Sequence, residues 1–235
     1  IMKLKKFGFL FATAALTLSL AACGGDESSE DNLNDGKLVI GVTSGLHEEI
    51  TELAADIAAK DGLEVDIRVF SDYVLPNTAL VEGDLEMNNF QTQPFLDGFN
   101  KDRGENLVSI APTILNPMGI YSLKYDSIDD IPEGATFALP NDAANGGRAL
   151  TVLESSGYIT LKEGVNINAS IYDVEENPHN YEFIELEAAQ LPTQLAEVDF
   201  AAINTNFALE AGLNPKNDSI ILESADSPYV NKLVI

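Results

Sequence analysis

The chain has 235 residues, of which 38 are Asp or Glu and 13 are Lys or Arg, for a formal net charge of −25. A surface this acidic repels phosphate backbones and argues against a nucleic-acid partner. A single cysteine excludes an intramolecular disulfide, and two histidines offer little for a metal centre or for histidine-based acid–base chemistry, so no cofactor is expected.

Residues 1–23 have the organisation of a targeting segment. Lys3, Lys5 and Lys6 form a basic start, and the apolar run from Phe7 to Leu20 is too short for a stable membrane span. Leu20-Ala21-Ala22-Cys23 then resembles the lipobox of bacterial lipoproteins, in which the cysteine becomes the lipidated first residue of the mature chain. Ile1 before Met2 reads as an artefact of translation or numbering. Residues 24–36, GGDESSEDNLNDG, are acidic and glycine-bounded, as expected of a flexible tether that holds a folded part away from a membrane. Without the three leader lysines only ten basic residues face the 38 acids, so each arginine of the mature chain is informative.

The folded part opens on Lys37-Leu38-Val39-Ile40-Gly41-Val42, an apolar run of strand length, and turns at Thr43-Ser44-Gly45. From His47 to Lys60, Ile50, Leu53, Ala54, Ile57 and Ala58 trace one helical face, which predicts a helix packed by that stripe and ended at Asp61-Gly62. Val65, Ile67 and Val69 alternate with Asp66 and Arg68 as a strand with one drier face. This is a βαβ opening, so a parallel sheet is expected. His47, at the helix start, reads as a structural or capping residue.

A strand end at Phe70-Ser71-Asp72-Tyr73 runs into a helix begun by Pro76, and Leu85 to Phe90 forms the next strand. Tyr73 and Phe90 therefore stand at strand ends, where two aromatic rings can enclose an apolar side chain, although each alone could equally be core. Val108 to Leu115 is another strand, interrupted by Asn116-Pro117-Met118-Gly119 before Ile120-Tyr121-Ser122-Leu123 resumes, a break that suits a crossing between two lobes.

In the second half, the strand Ala135-Thr136-Phe137-Ala138-Leu139 feeds a glycine-bearing loop and a helix expected to start near Gly146. Ligands in open α/β sheets sit at the carboxyl ends of strands, and a helix N-terminus offers free N–H groups to an anion. Arg148 in the first turn is unfavourable for the helix dipole unless an anion lies there. It is either a carboxylate clamp with Asn145 beside it, or a solvated or internally paired arginine; as a clamp it is expected to stand unpaired in the free protein. A helix over 191–197 with Pro192 in its first turn and a strand over 198–203 follow. Asn204-Thr205-Asn206 lies at that strand's carboxyl end, and Ser227-Pro228-Tyr229-Val230-Asn231 leads into Lys232-Leu233-Val234-Ile235. The chain stops in mid-strand, which suggests a truncated sequence. His179, in Glu-Asn-Pro-His-Asn, reads as a loop residue.

Several of these segments, in order, resemble the NlpA family of lipoproteins, among which are methionine-binding components of ABC importers. The matching stretches are Phe70-Ser71-Asp72-Tyr73 with Pro76-Asn77, Phe90-Gln91 with Pro94-Phe95-Leu96, and Pro117-Met118-Gly119-Ile120-Tyr121-Ser122. They continue with Pro140-Asn141-Asp142 before Asn145 and Arg148-Ala149-Leu150, Leu186-Glu187-Ala188-Ala189-Gln190-Leu191-Pro192, Ile203-Asn204-Thr205-Asn206, and Ser227-Pro228-Tyr229-Val230-Asn231. The resemblance implies an α/β, two-lobe, type II periplasmic-binding-protein fold with the ligand cleft between lobes. Lobe 1 would comprise residues 37–116 and 228–235, and lobe 2 residues 117–227. It implies a solute-binding lipoprotein, not an enzyme, held by Cys23 on the extracytoplasmic face of the cell membrane and partnered by the permease and ATPase of an ABC transporter. L-methionine would be the small-molecule ligand, with its carboxylate on Arg148, its backbone polar groups on Asn145, Asn204 and Asn231, and its thioether between Tyr73 and Phe90. The family pattern usually reads Phe-Gln-His-x-Pro-Tyr-Leu; here the histidine position is Thr92 and the tyrosine position is Phe95. That exchange leaves D-methionine or a small methionine-containing peptide open as the ligand, and a surface lipoprotein with a protein-interaction role open as a function.

Overall fold

A computed structural model describes residues 36–165, 167 and 169–235. The predicted leader, the lipobox with Cys23 and nearly all of the tether lie outside the described residues.

The first sheet is built from β1 (Leu38–Thr43), β2 (Val65–Phe70), β3 (Met87–Thr92), β4 (Ser109–Leu115) and β12 (Val230–Val234), in the order β2-β1-β3-β12-β4. β1 pairs in parallel with β2 and β3, whereas β12 returns from the end of the chain and pairs antiparallel with β3 and β4. β1 is buried on both faces from Val39 onward and is apolar until Thr43, whose hydroxyl meets His47. A Cβ at its Gly41 would lie 2.5 Å from Leu85 Cδ1, so a larger residue there would make that side chain shift. Around this sheet run α1 (Leu46–Ala58), α2 (Leu75–Val81) and α3 (Gln93–Arg103).

The second sheet contains β5 (Gly119–Tyr121), β6 (Thr136–Pro140), β9 (Glu182–Leu186), β10 (Phe200–Ile203) and β11 (Ser219–Leu222), in the order β11-β5-β10-β6-β9. β7 (Thr160–Leu161) and β8 (Val174–Glu176) form a small separate pair. The helices of this half are α4 (Ala143–Ser155), α5 (Leu191–Gln194), α6 (Thr205–Glu210) and α7 (Pro215–Asp218). Strand alternation sorts its core into two faces. Phe137, Leu139 and Phe200 pack with Leu150 and Leu153 of α4, while Ala138, Ala201 and Ile203 pack with Leu191, Leu195 and Phe207 on the other side. Phe200 stacks on Phe137 with centroids 4.6 Å apart and meets Tyr181 edge-on at 4.9 Å. The chain passes from one sheet to the other after β4 and again between β11 and β12.

Three local expectations are corrected. The helix after β1 is present, but its apolar stripe is not its buried face: Leu53 and Ile57 are 64% and 62% exposed, and the buried residues are His47 and Thr51. Polar groups of the sheet decide this, since Asn89 Nδ2 donates to Thr51 Oγ1 at 3.0 Å and Thr113 Oγ1 donates to Asn89 Oδ1 at 2.9 Å. α4 starts at Ala143 rather than near Gly146, because Asp142 caps it by accepting the Asn145 backbone N–H at 2.8 Å. The glycines of that stretch are helical, and what requires them is close packing: a Cβ at Gly146 would lie 2.7 Å from the Pro140 carbonyl, and one at Gly147 2.5 Å from that of Ile167. The helix expected over 191–197 is regular only through Gln194, and the strand expected from Val198 begins at Phe200.

Candidate functional site

All seven ligand-site residues expected from the sequence, Tyr73, Phe90, Thr92, Asn145, Arg148, Asn204 and Asn231, line one cavity between the two sheets. The elements explain the convergence. Gln91 and Thr92 end β3, Asn145 and Arg148 stand on the helix that follows β6, and Asn204 follows β10, so the cavity gathers at strand carboxyl ends. Thr92 is also the residue before α3, and Asn231 of β12 sits directly opposite it in the ladder.

One wall is aromatic. Tyr73 stacks on Phe90 with centroids 5.8 Å apart, and Phe95 meets both rings edge-on at 5.9 Å. Tyr73 also reaches the second sheet's side of the cavity: its ring lies 4.8 Å from that of Phe207, and its hydroxyl donates to Asn206 Oδ1 at 2.5 Å. Burial pushes the Tyr73 phenol well above its usual range, with Asp142 adding to the effect, so it remains a donor.

The opposite wall carries the charge. Arg148 is 3% exposed and is not unpaired, which overturns the expectation for the free protein. Its Nε donates to Glu223 Oε1 and Oε2 at 3.0 and 3.1 Å, and its Nη2 donates both to Glu223 Oε2 and, at 2.8 Å, to the Asn116 carbonyl. The Tyr229 ring lies 4.6 Å from the guanidinium carbon, in reach of a cation–π contact. Arg148 belongs to the second turn of α4, behind the capped first turn, so the helix dipole is not what holds it. Glu223 supplies the anion, and it is itself fixed by the Met118 backbone N–H at 2.9 Å and the Ser227 hydroxyl at 2.8 Å.

His47 is the residue whose place sequence reasoning underrated. It is 2% exposed and lines the cavity, with Nδ1 2.6 Å from Thr43 Oγ1 and Nε2 3.1 and 3.2 Å from the Nδ2 atoms of Asn116 and Asn231. Two amide donors facing Nε2 require it to accept, so Nδ1 carries the proton and donates to Thr43. Burial lowers its pKa to about 4, which keeps the ring neutral. Asn116, Thr205 and Asn206 complete the polar lining. The last two are adjacent to Asn204 in a stretch the sequence already marked, whereas nothing local marks Glu223, which reaches the site from the end of β11. Gln91 is held from behind, donating through Nε2 to Asn77 Oδ1 at 2.6 Å and to Asn88 Oδ1 at 2.8 Å.

Comparison with known proteins agrees with this architecture. The family profile described as NlpA lipoprotein matches residues 38–235. The D-methionine-binding lipoprotein MetQ of Salmonella typhi is 43% identical over 97% of this chain and 84% of its own length, and that of Escherichia coli K12 is 42% identical over the same shares. A nutrient-binding protein from Burkholderia cenocepacia, solved bound to methionine, is 45% identical with a TM-score of 0.82 over 84% of each chain. A crystal structure of the methionine-binding protein MetQ is 44% identical with a TM-score of 0.82, covering 85% of this chain and 82% of its own. With a profile that spans the whole described fold and close relatives over nearly all of its length, this chain belongs to the NlpA lipoprotein family.

Proposed function

We propose that the protein is the solute-binding lipoprotein of an ABC importer and that it captures L-methionine between its lobes. The observation that carries the reading is the pairing of a charge-compensated arginine with a three-ring wall in one cavity. Because Glu223 already neutralises Arg148, a ligand carboxylate arriving there needs its own positive charge nearby, as in the zwitterion of an amino acid. Nε and Nη2 of Arg148 are engaged, which leaves Nη1 for that carboxylate. Asn145, Asn204 and Asn231 would hold backbone polar groups of the ligand, and Tyr73, Phe90 and Phe95 its thioether. The relatives named for methionine support the same ligand class. Binding rather than turnover is favoured by the cavity's imidazole, whose two nitrogens are both committed to Thr43, Asn116 and Asn231.

The lobes would comprise residues 37–116 with 228–235, and residues 117–227, and Cys23 would carry the lipid that holds the protein on the extracytoplasmic face. Among the described residues no helix is long and apolar enough to cross a membrane. Replacing Cys23 by Ala is expected to release the protein from the membrane fraction, and full retention would contradict the anchor. A second ligand, a short methionine-containing peptide, is favoured by one feature: Phe95 also borders an adjoining cavity lined by Val74, Phe99 and Asp142. Mass spectrometry of small molecules released from the denatured protein, followed by competition calorimetry with L-methionine, D-methionine, glycyl-methionine, leucine and glutamine, tests the assignment. Tight glutamine binding with no response to any methionine compound would eliminate it.

A further inference from the structure

Three side chains on the second-lobe wall form a relay with a direction. Asn145 Nδ2 donates to both oxygens of Asp142, at 3.1 and 3.0 Å. Asn145 Oδ1 accepts from Asn204 Nδ2 at 2.8 Å. Among the described residues Asn204 Oδ1 then has no partner, although Asn204 is only 7% exposed and lines the cavity. A buried carbonyl oxygen without a donor is costly, so a position of this kind is suited to a donor that arrives with the ligand.

The direction follows from the chemistry of the first member. Burial raises the Asp142 carboxyl pKa and the bonds from Asn145 oppose that rise; both of its oxygens accept, from the Asn145 backbone N–H and from Nδ2. Asn145 is therefore oriented with its nitrogen toward Asp142 and its oxygen toward Asn204. Asn204 must answer with its nitrogen, which turns its own oxygen outward. An amide at position 204 could otherwise present either end to a ligand. We infer that Asp142, itself outside the residues that line this cavity, is a positioning residue: through Asn145 it makes Asn204 a hydrogen-bond acceptor and so selects a ligand that bears an ammonium group. The inference rests on the amino-acid reading above and names which protein group reads the amine.

The test compares L-methionine with 4-(methylthio)butanoate, the same molecule without its amine, by calorimetry on wild type and three variants. Asp142→Asn keeps a capping oxygen for α4 but offers an amide nitrogen to Asn145, which inverts the relay and turns a donor toward the ligand's ammonium. L-methionine affinity should fall by about tenfold or more, while the amine-free compound, which lacks the compensating charge and binds wild type only weakly, should stay within about twofold of its wild-type affinity at the high concentrations its titration needs. Asp142→Ser, which also caps the helix but no longer orients Asn145, should narrow the ratio between the two ligands in the same direction. Adding Asn204→Asp to Asp142→Asn restores an acceptor facing the cavity, and L-methionine binding should recover; a role of Asp142 in helix stability alone gives no such rescue. Equal losses for both ligands in both single variants, or no rescue in the double variant, would overturn the relay while leaving the methionine reading intact. A wild-type protein that binds neither compound would overturn both.

Discussion

Arg148 and Glu223 form a buried bidentate ion pair, with side chains 3% and 8% exposed, and the pair ties α4 to both chain segments that pass between the sheets. Asn116, whose carbonyl accepts from Arg148, and Met118, whose N–H donates to Glu223, belong to the first passage; Ser227 and Tyr229 belong to the second. These are the two segments that join the sheets, so the residue proposed to meet the ligand is tied to both of them.

The pair reverses the stability effect expected of an unpaired arginine. Arg148→Ala should weaken L-methionine binding by about a hundredfold or more and also destabilise the free protein by about 3–5 kcal/mol, because it strands the Glu223 carboxylate in a buried site. Glu223→Ala should destabilise comparably, and the double variant should lose less than the sum of the two. Urea denaturation of the ligand-free proteins measures this, and a stable Arg148→Ala protein would show the pair to be dispensable.

Acid should act through His47. Its folded pKa of about 4 lies below its ordinary value of 6.5, so the unfolded chain takes up the proton first. The stabilising effect of the neutral ring is complete above about pH 6.5 and is lost progressively as pH falls toward 4, on the order of 3 kcal/mol over that window. Protonation would also set an N–H against the amides of Asn116 and Asn231. His47→Gln should remove this part of the pH dependence. Urea midpoints of both proteins between pH 7 and 4.5 provide the comparison, and parallel curves would contradict it.

Thr92 offers a short hydroxyl where the family pattern has an imidazole, and it lies on the cavity opposite Asn231. Thr92→His should fill the space beside the ligand and tighten L-methionine by about tenfold through a direct polar contact, while weakening larger ligands such as glycyl-methionine. Competition calorimetry reads both changes, and an unaltered ligand order would mean that residue 92 does not meet the ligand.

Tyr73 bridges the cavity by its hydroxyl and packs by its ring, and the two effects are separable. Tyr73→Phe keeps the stacking on Phe90 and removes the bond to Asn206, leaving that buried oxygen without its donor; affinity should drop by about tenfold. Tyr73→Ala should lose considerably more, since it removes the aromatic contact with Phe90, Phe95 and Phe207 together. Equal affinities for Tyr73→Phe and wild type would show that the hydroxyl bridge is irrelevant to binding.

Much of this site was legible before any coordinates, for physical reasons that can be named. Strand-length apolar runs with ordered breaks located the carboxyl ends of β3, β6 and β10, where Asn145, Arg148 and Asn204 stand, whereas Thr92 and Asn231 were marked only by the family resemblance. Scarcity of basic residues made Arg148 conspicuous, and Tyr73 and Phe90 stood where an apolar side chain could be enclosed. These signals are local, carried by pattern and spacing within a few residues.

Partnership between distant segments was not legible, because a sequence pattern records which residues are apolar and not which polar group will face which. Glu223 reaches Arg148 across 75 positions, and Asn231 reaches His47 across 184. The stripe of Leu53 and Ile57 satisfies the helical period, yet α1 buries His47 and Thr51 because the sheet presents Asn89 and Thr113 to that side. Sequence alone determined the strands, the helices and the edge at which they leave their polar residues; the tertiary structure decided the charge state of the site. Burial together with a specific partner sets whether an arginine is free or compensated and whether a histidine is charged or neutral, and both conditions exist only once the chain has closed on itself.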